Sequence, residues 1–163
     1  MAPSYSGKGR ATPHYKTAGI EEICHAGCFL RPLIADDCFL GLWAPHALVL
    51  EGIPQAVAHA WGFLPKQELI WVKTSKSGKL RIGGGHYSRL CTEALLLCTR
   101  GRPKVRDRGV PNVFFAQRGA HSAKPDESYR VIERLCDGPY IELYARRRYS
   151  ADWMAYGRHI EEG

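Results

Sequence analysis

Lys124 stands directly before Pro125, at the head of a segment over 125–135 (PDESYRVIERL) in which Tyr129, Ile132 and Leu135 recur at helical spacing. A lysine there can offer its charge to an anionic group, and the helix N-terminus behind it adds a dipole of the same sign. Read without a ligand, it is a solvated lysine beside a helix start. Glu142 and Arg146 are four residues apart at the end of an apolar stretch over 140–145 (YIELYA), so on a strand they share one face. That spacing suits an arginine reaching a ligand hydroxyl, and equally a surface ion pair.

Two further segments are basic and poor in apolar residues. The stretch over 74–86 (TSKSGKLRIGGGH) carries Lys76, Lys79 and His86, with Lys73 before it and Tyr87 after it. The first sixteen residues hold Lys8, Arg10, His14 and Tyr15 in a Gly, Ser and Pro-rich setting without apolar period. Such loops offer cations to phosphates and aromatic rings to an unstacked base. The bland reading of each is a solvated connection.

Cys24, His25 and Cys28 have the look of a half zinc site. No second pair follows at zinc spacing, because Cys91 and Cys98 lie inside an apolar run. The six cysteines are therefore read as reduced thiols, with no disulfide framework and no metal.

These groups need a scaffold, and the apolar pattern supplies one. Strands are predicted over 38–44 (CFLGLWA, buried on both faces), 68–73, 93–99, 113–117 and 140–145, with a short helical turn over 20–25 and helices over 55–61 and 125–135. Alternation of such strands with helices predicts an α/β layer fold with a largely parallel sheet, ligands lying at the carboxyl ends of its strands. With 163 residues, 45% of them apolar, a single domain over 1–163 is expected. The formal net charge of +7 favours a polyanionic partner. No apolar run of about eighteen residues and no signal pattern occurs, which predicts a soluble, cytoplasmic chain without membrane contact.

One linked pattern is more specific than any of these features. The run from Arg118 to Glu127 (RGAHSAKPDE), then Ile132 to Arg134 (IER), then Glu142 to Arg146 (ELYAR) resembles the family of the seventy-kilodalton mRNA adenosine methyltransferase subunit. It is equally similar to the bacterial and phage DNA-adenine relatives of that MT-A70-like family. The resemblance continues through Leu42-Trp43, Trp61-Gly62-Phe63, Trp71-Val72-Lys73 and the segment from Gly85 to Gly101. Ser6 to Tyr15 looks like the active-site loop that in the family follows an Asp-Pro-Pro-Trp motif.

The resemblance implies a Rossmann-like methyltransferase sheet with helices on both faces, S-adenosyl-L-methionine as methyl donor, and transfer to the exocyclic N6 amine of adenine. DNA is expected rather than RNA, since the chain is compact and carries no added RNA-binding module. It also implies a cofactor shell of Lys124, Glu142, Arg146, Arg148, Tyr149, Arg158 and His159. The last four depart from the family, which usually has His-Asn and Gly-Asn-Gln at those places. Substrate contacts are implied for Lys8, Arg10, His14, Tyr15, Lys73, Lys76, Lys79, His86 and Tyr87. A homodimer, or a heterodimer with a related methyltransferase chain, is the implied assembly.

No Asp-Pro-Pro occurs in the sequence, so no catalytic residue is assigned. The strand that delivers that motif is expected to be missing, leaving the 140–145 strand with an unpaired edge. Either the N-terminus is truncated, which the form of the 6–15 loop favours, or the chain is an inactive nucleic-acid-binding partner subunit. A binder of another nucleotide is the weaker alternative, because Gly-x-Gly-x-x-Gly is absent.

Overall fold

The computed structural model describes residues 18–85, 87–119, 123–157 and 160. Its centre is a four-stranded sheet of β1 (Cys38–Ala44), β2 (Leu64–Thr74), β3 (Thr92–Arg100) and β4 (Val113–Gln117), in the order β1-β3-β2-β4. β3 runs antiparallel to both its neighbours, while β2 and β4 are parallel. The expected largely parallel sheet is thus corrected to a mixed one. Between β2 and β3 the chain forms no helix, and without a crossover it can only return antiparallel. β1, β2 and β4 still share one direction, so their carboxyl ends meet at one edge of the sheet.

Helices cover both faces. On one lie α1 (Ile20–Leu30), which continues into a short 3-10 turn, and α3 (Ile53–Ala60); Val57, Ala58 and Trp61 pack there with Phe63, Leu96 and Cys98. On the other lies α4 (Asp126–Leu135), whose Leu135 and Val131 meet Leu69, Leu95, Leu97 and the Trp71, Phe114 and Ala116 cluster. The architecture is α/β, with the core divided between the two sides of β3. That strand is the buried one, its five residues from Ala94 to Cys98 all buried. The strand over 38–44, read as buried on both faces, is instead a half-buried edge strand. A continuous apolar run cannot distinguish these two environments.

Other elements exceed what the apolar pattern marks. The turn expected over 20–25 is the full helix α1, and its Gly27 lies where any Cβ would collide with the Trp61 indole, which donates to the Ile23 carbonyl at 2.8 Å. The short helix α2 (His46–Leu50) was not anticipated. Nor was β6 (Trp153–Tyr156), which pairs in parallel with β5 (Tyr140–Leu143) to make a separate two-stranded sheet. One edge of β5 is therefore occupied, while its other edge pairs with no strand among the described residues. No helix among them is long and apolar enough to cross a membrane.

Candidate functional site

The shared carboxyl edge of β1, β2 and β4 is also the amino end of β3, and that reversal brings an acid to a place where the other strands deliver lysine and tryptophan. Trp71 lies opposite Glu93 in the β2–β3 register, and Trp43 opposite Leu95 in the β1–β3 register. Residues opposite one another point to the same face. Trp43, Trp71, Lys73 and Glu93 therefore converge on the face that α4 covers, with Lys124 arriving from the segment between β4 and α4.

Glu93 sits between two lysines. One carboxylate oxygen accepts from Lys73 Nζ at 2.9 Å and the other from Lys124 Nζ at 2.5 Å. The three side chains are 18 to 28% exposed, buried enough to escape full screening by water. Each ammonium also lies over an indole: Lys124 is 4.6 Å from the Trp43 ring centre and Lys73 is 5.3 Å from that of Trp71. The indoles meet edge to face at 6.2 Å, and Trp71 Nε1 donates to the Ala116 carbonyl at 2.9 Å. Burial alone would raise the Glu93 carboxyl, but the hydrogen bonds and charges of Lys124 and Lys73 outweigh it and hold the group below its ordinary value. The triad is an ionised Lys-Glu-Lys unit with one net positive charge.

Lys124 is placed by the start of α4. Pro125 is extended at φ −75° and ψ 153° and caps the helix, while Ser128 Oγ donates to the Pro125 carbonyl at 2.6 Å. These contacts direct the residue before the helix towards the sheet edge.

A second group of side chains surrounds β5 and β6. Tyr129 of α4 donates its hydroxyl to Glu142 at 2.9 Å and stacks on Tyr149 at 4.3 Å, with the rings 6° from parallel. Trp153 meets Tyr129 edge to face at 4.9 Å and stacks on Tyr140 at 4.7 Å. The Trp153 indole N–H donates to Glu133 at 2.9 Å. Burial pushes the Glu142 carboxyl up, the Tyr129 hydrogen bond and the Arg147 charge only partly opposing it. The Tyr129 hydroxyl is likewise raised, by burial and then by the Glu142 charge. Arg147 lies over both stacked tyrosine rings and pairs with Asp126.

The residues singled out from sequence divide accordingly. Lys124 and Lys73 come together on Glu93, which the sequence pattern marks only as the first residue of the 93–99 strand, without a role. A lone acid opening an apolar strand was the available signal. Glu142 and Tyr149 both contact Tyr129, while Arg148 folds back, with Nε 3.2 Å from the Ser150 and Trp153 carbonyls and Nη2 3.0 Å from that of Ala151. Arg146 is exposed three residues beyond β5, and the strand expected over 140–145 stops at Leu143 before Tyr144, whose φ is +59°, so strand geometry does not put Glu142 and Arg146 on one face. Lys76, Lys79 and Tyr87 lie on the β2–β3 connection, outside both groups. Lys8, Arg10, His14, Tyr15, His86, Arg158 and His159 fall outside the described residues.

Comparison with known proteins gives this geometry a family context. The MT-A70 family model matches residues 10–159. The "N(6)-adenosine-methyltransferase subunit METTL3" of Danio rerio is 33% identical over 135 residues, covering 80% of this chain and 23% of the relative. The "N(6)-adenosine-methyltransferase catalytic subunit METTL3" of Homo sapiens is 32% identical over the same length and the same shares. The "N(6)-adenosine-methyltransferase MT-A70-like protein" of Drosophila melanogaster is 33% identical, covering 80% of this chain and 22% of the relative. The chain thus spans less than a quarter of the length of these curated relatives.

Proposed function

The chain belongs to the MT-A70 family, and from that premise we propose that it transfers a methyl group from S-adenosyl-L-methionine to the N6 amine of adenine in nucleic acid. The observation that carries the reading is the Lys73-Glu93-Lys124 unit, set between two indoles at the strand ends where α/β sheets take their ligands. S-adenosyl-L-methionine supplies, when bound, an electrophilic methyl group on a sulfonium. Lys124 fits its carboxylate end: the triad has a net positive charge, and the α4 N-terminus adds a favourable dipole. Arg146, exposed beyond the end of β5, is the group for the ribose hydroxyls. Glu142 is held by the Tyr129 hydroxyl.

Arg148 and Tyr149 fit the cofactor less well, because their polar or stacking surface is already engaged within the chain. With no Asp-Pro-Pro in the sequence, no residue of this chain is assigned to accept the amine hydrogen. What its side chains supply is binding and alignment, and alignment can account for much of the acceleration of such a transfer.

The finer readings belong to the same proposal: a DNA acceptor, a bacterial or phage origin, a cytoplasmic place, and a dimer with a second copy or a related chain. The relatives' names specify adenosine, the ribonucleoside, so an assay needs both acceptors. Tritium transfer from labelled S-adenosyl-L-methionine to adenine-containing DNA and RNA oligonucleotides is the test. Transfer that disappears when adenine is replaced supports the reading. Oligonucleotide binding without transfer would instead favour the non-catalytic partner subunit. For Lys124→Ala, calorimetric titration should show cofactor binding weakened by about 1–3 kcal/mol, the cost of an unpaired carboxylate, and unchanged affinity removes Lys124 from the site.

A further inference from the structure

Three consecutive arginines follow β5, and their surroundings differ. Tyr144 ends the strand at a φ of +59°, and the Ala145 N–H donates to the Tyr156 carbonyl of β6 at 2.9 Å. Beyond that anchor Arg146 is exposed and Arg148 folds onto the carbonyls of its own loop. Arg147 instead crosses to α4 and pairs with Asp126. Asp126 is the first residue of that helix, two places after Lys124. The pair therefore joins the segment that carries Lys124 to the segment that carries Arg146.

That contact belongs to a stripe along α4. Asp126, Tyr129 and Glu133 recur at the spacing of one helix face, and each holds the β5–β6 region. Asp126 takes Arg147, Tyr129 donates to Glu142 and stacks on Tyr149, and Glu133 accepts from the Trp153 indole. Arg147 engages the stripe twice, because its guanidinium also lies 5.6 Å from the Tyr129 ring centre and 5.8 Å from that of Tyr149. A planar cation set against both rings and a carboxylate is held in one orientation. The Arg147 and Asp126 side chains are nonetheless 45% and 49% exposed, and an ion pair so open to water adds little to stability. What distinguishes the pair is its place, since of the stripe's contacts it is the nearest in the chain to Lys124.

We propose that Arg147 is a positioning residue of the cofactor site: by clamping the 144–149 segment to Asp126 it fixes the span between Lys124 and Arg146. The inference rests on the methyl-transfer reading for the identity of the ligand. A molecule gripped at both ends gains affinity because its second contact forms within the complex, and that gain depends on the two protein groups being held at the right separation. S-adenosyl-L-methionine carries its carboxylate and its ribose on different arms of the sulfonium, so it needs both groups at once. A fragment with one of these ends needs only one group. Without the clamp Lys124 and Arg146 keep their chemistry, but the segment bearing Arg146 is released from the start of α4.

The test is calorimetric titration of the whole chain with S-adenosyl-L-methionine, and by competition with L-methionine and adenosine, which carry one end each. Arg147→Ala should weaken S-adenosyl-L-methionine about tenfold, part of the roughly hundredfold or larger advantage of linked over separate binding, while both fragments stay within about twofold. Asp126→Ala should do the same, and the double variant should be no worse than either single one, because the two residues act through one contact. Arg134→Ala, which breaks the comparable pair with Asp107 near the other end of α4, should leave all three affinities within about twofold. Unchanged S-adenosyl-L-methionine affinity in Arg147→Ala, fragments that weaken as much as the whole cofactor, or an equal loss in Arg134→Ala overturns the proposal. Should Arg147→Ala fail to fold, Asp126→Asn must give the same split between whole cofactor and fragments. Failure of the methyl-transfer reading looks different: the unsubstituted chain then binds no S-adenosyl-L-methionine, which overturns both, whereas tight binding that Arg147→Ala leaves unaltered overturns the positioning role alone.

Discussion

The Lys73-Glu93-Lys124 unit and the β5–β6 aromatic group reach their order by opposite means. In the first, strong charges compensate one another at a sheet edge. In the second, flat rings stack around Tyr129 and Trp153, and the polar groups close local contacts: Arg148 onto carbonyls, Tyr129 onto Glu142. A charged cluster can be rearranged by an incoming anion because one ion replaces another. A stacked cluster loses area and geometry together if a ring moves. The first region is therefore the more open to an incoming anion, and the second fixes β5 and β6 against α4.

That contrast predicts its largest effect at Trp153. The ring is 5% exposed, stacks on Tyr140 and meets Tyr129 edge to face. Trp153→Ala should cost about 3–5 kcal/mol of stability, read from urea unfolding. A loss under about 1 kcal/mol would show that β6 docks by its backbone alone. Gly157 adds to the constraint, since a Cβ there would collide with the Ala145 carbonyl and the β5–β6 closure would have to open.

An intermediate effect is expected from Glu93→Gln. Removing the charge leaves two partly buried ammonium groups without their common partner, at a cost of about 1–3 kcal/mol at neutral pH. The pH dependence has a definite sign. The folded carboxyl lies below its ordinary value, so its stabilisation is present above the unfolded value of about 4.3 and is lost as pH falls through the folded value. The gap between Glu93→Gln and the unsubstituted chain should accordingly narrow when unfolding is measured at about pH 3 rather than pH 7. A gap that persists in acid would mean that shape, not charge, makes the triad.

The two regions were not equally legible in the sequence. Cys38–Ala44 and Val113–Gln117 stand where their apolar runs placed them, and α4 starts one residue after the proline that announced it. Such local signals carry their own boundaries. The reversal of β3 was not legible, because direction depends on what lies between strands, and the glycine-rich 74–86 segment could have been a loop of any path. The pairing of Glu93 with both lysines follows from that reversal and was hidden with it. β6 is only four residues, WMAY, with no alternation long enough to read. Its order comes from Tyr140 and Tyr129, which are distant in sequence.

The smallest effect separates the regions most finely. Arg148 stands at a position where the family resemblance places a cofactor contact, yet its donors reach the carbonyls of Ser150, Ala151 and Trp153. If those bonds are its role, Arg148→Ala should lower stability by about 0.5–1.5 kcal/mol, and the affinity for S-adenosyl-L-methionine should stay within about twofold. Arg148→Lys should recover little, since one ammonium on a flexible stem does not reproduce the planar fork. The opposite result, unaltered stability with cofactor affinity reduced, would show the guanidinium leaving the carbonyls for the ligand. Arg148 would then behave as Lys124 is proposed to behave, and the β5–β6 region would be a second exchangeable site instead of a fixed support.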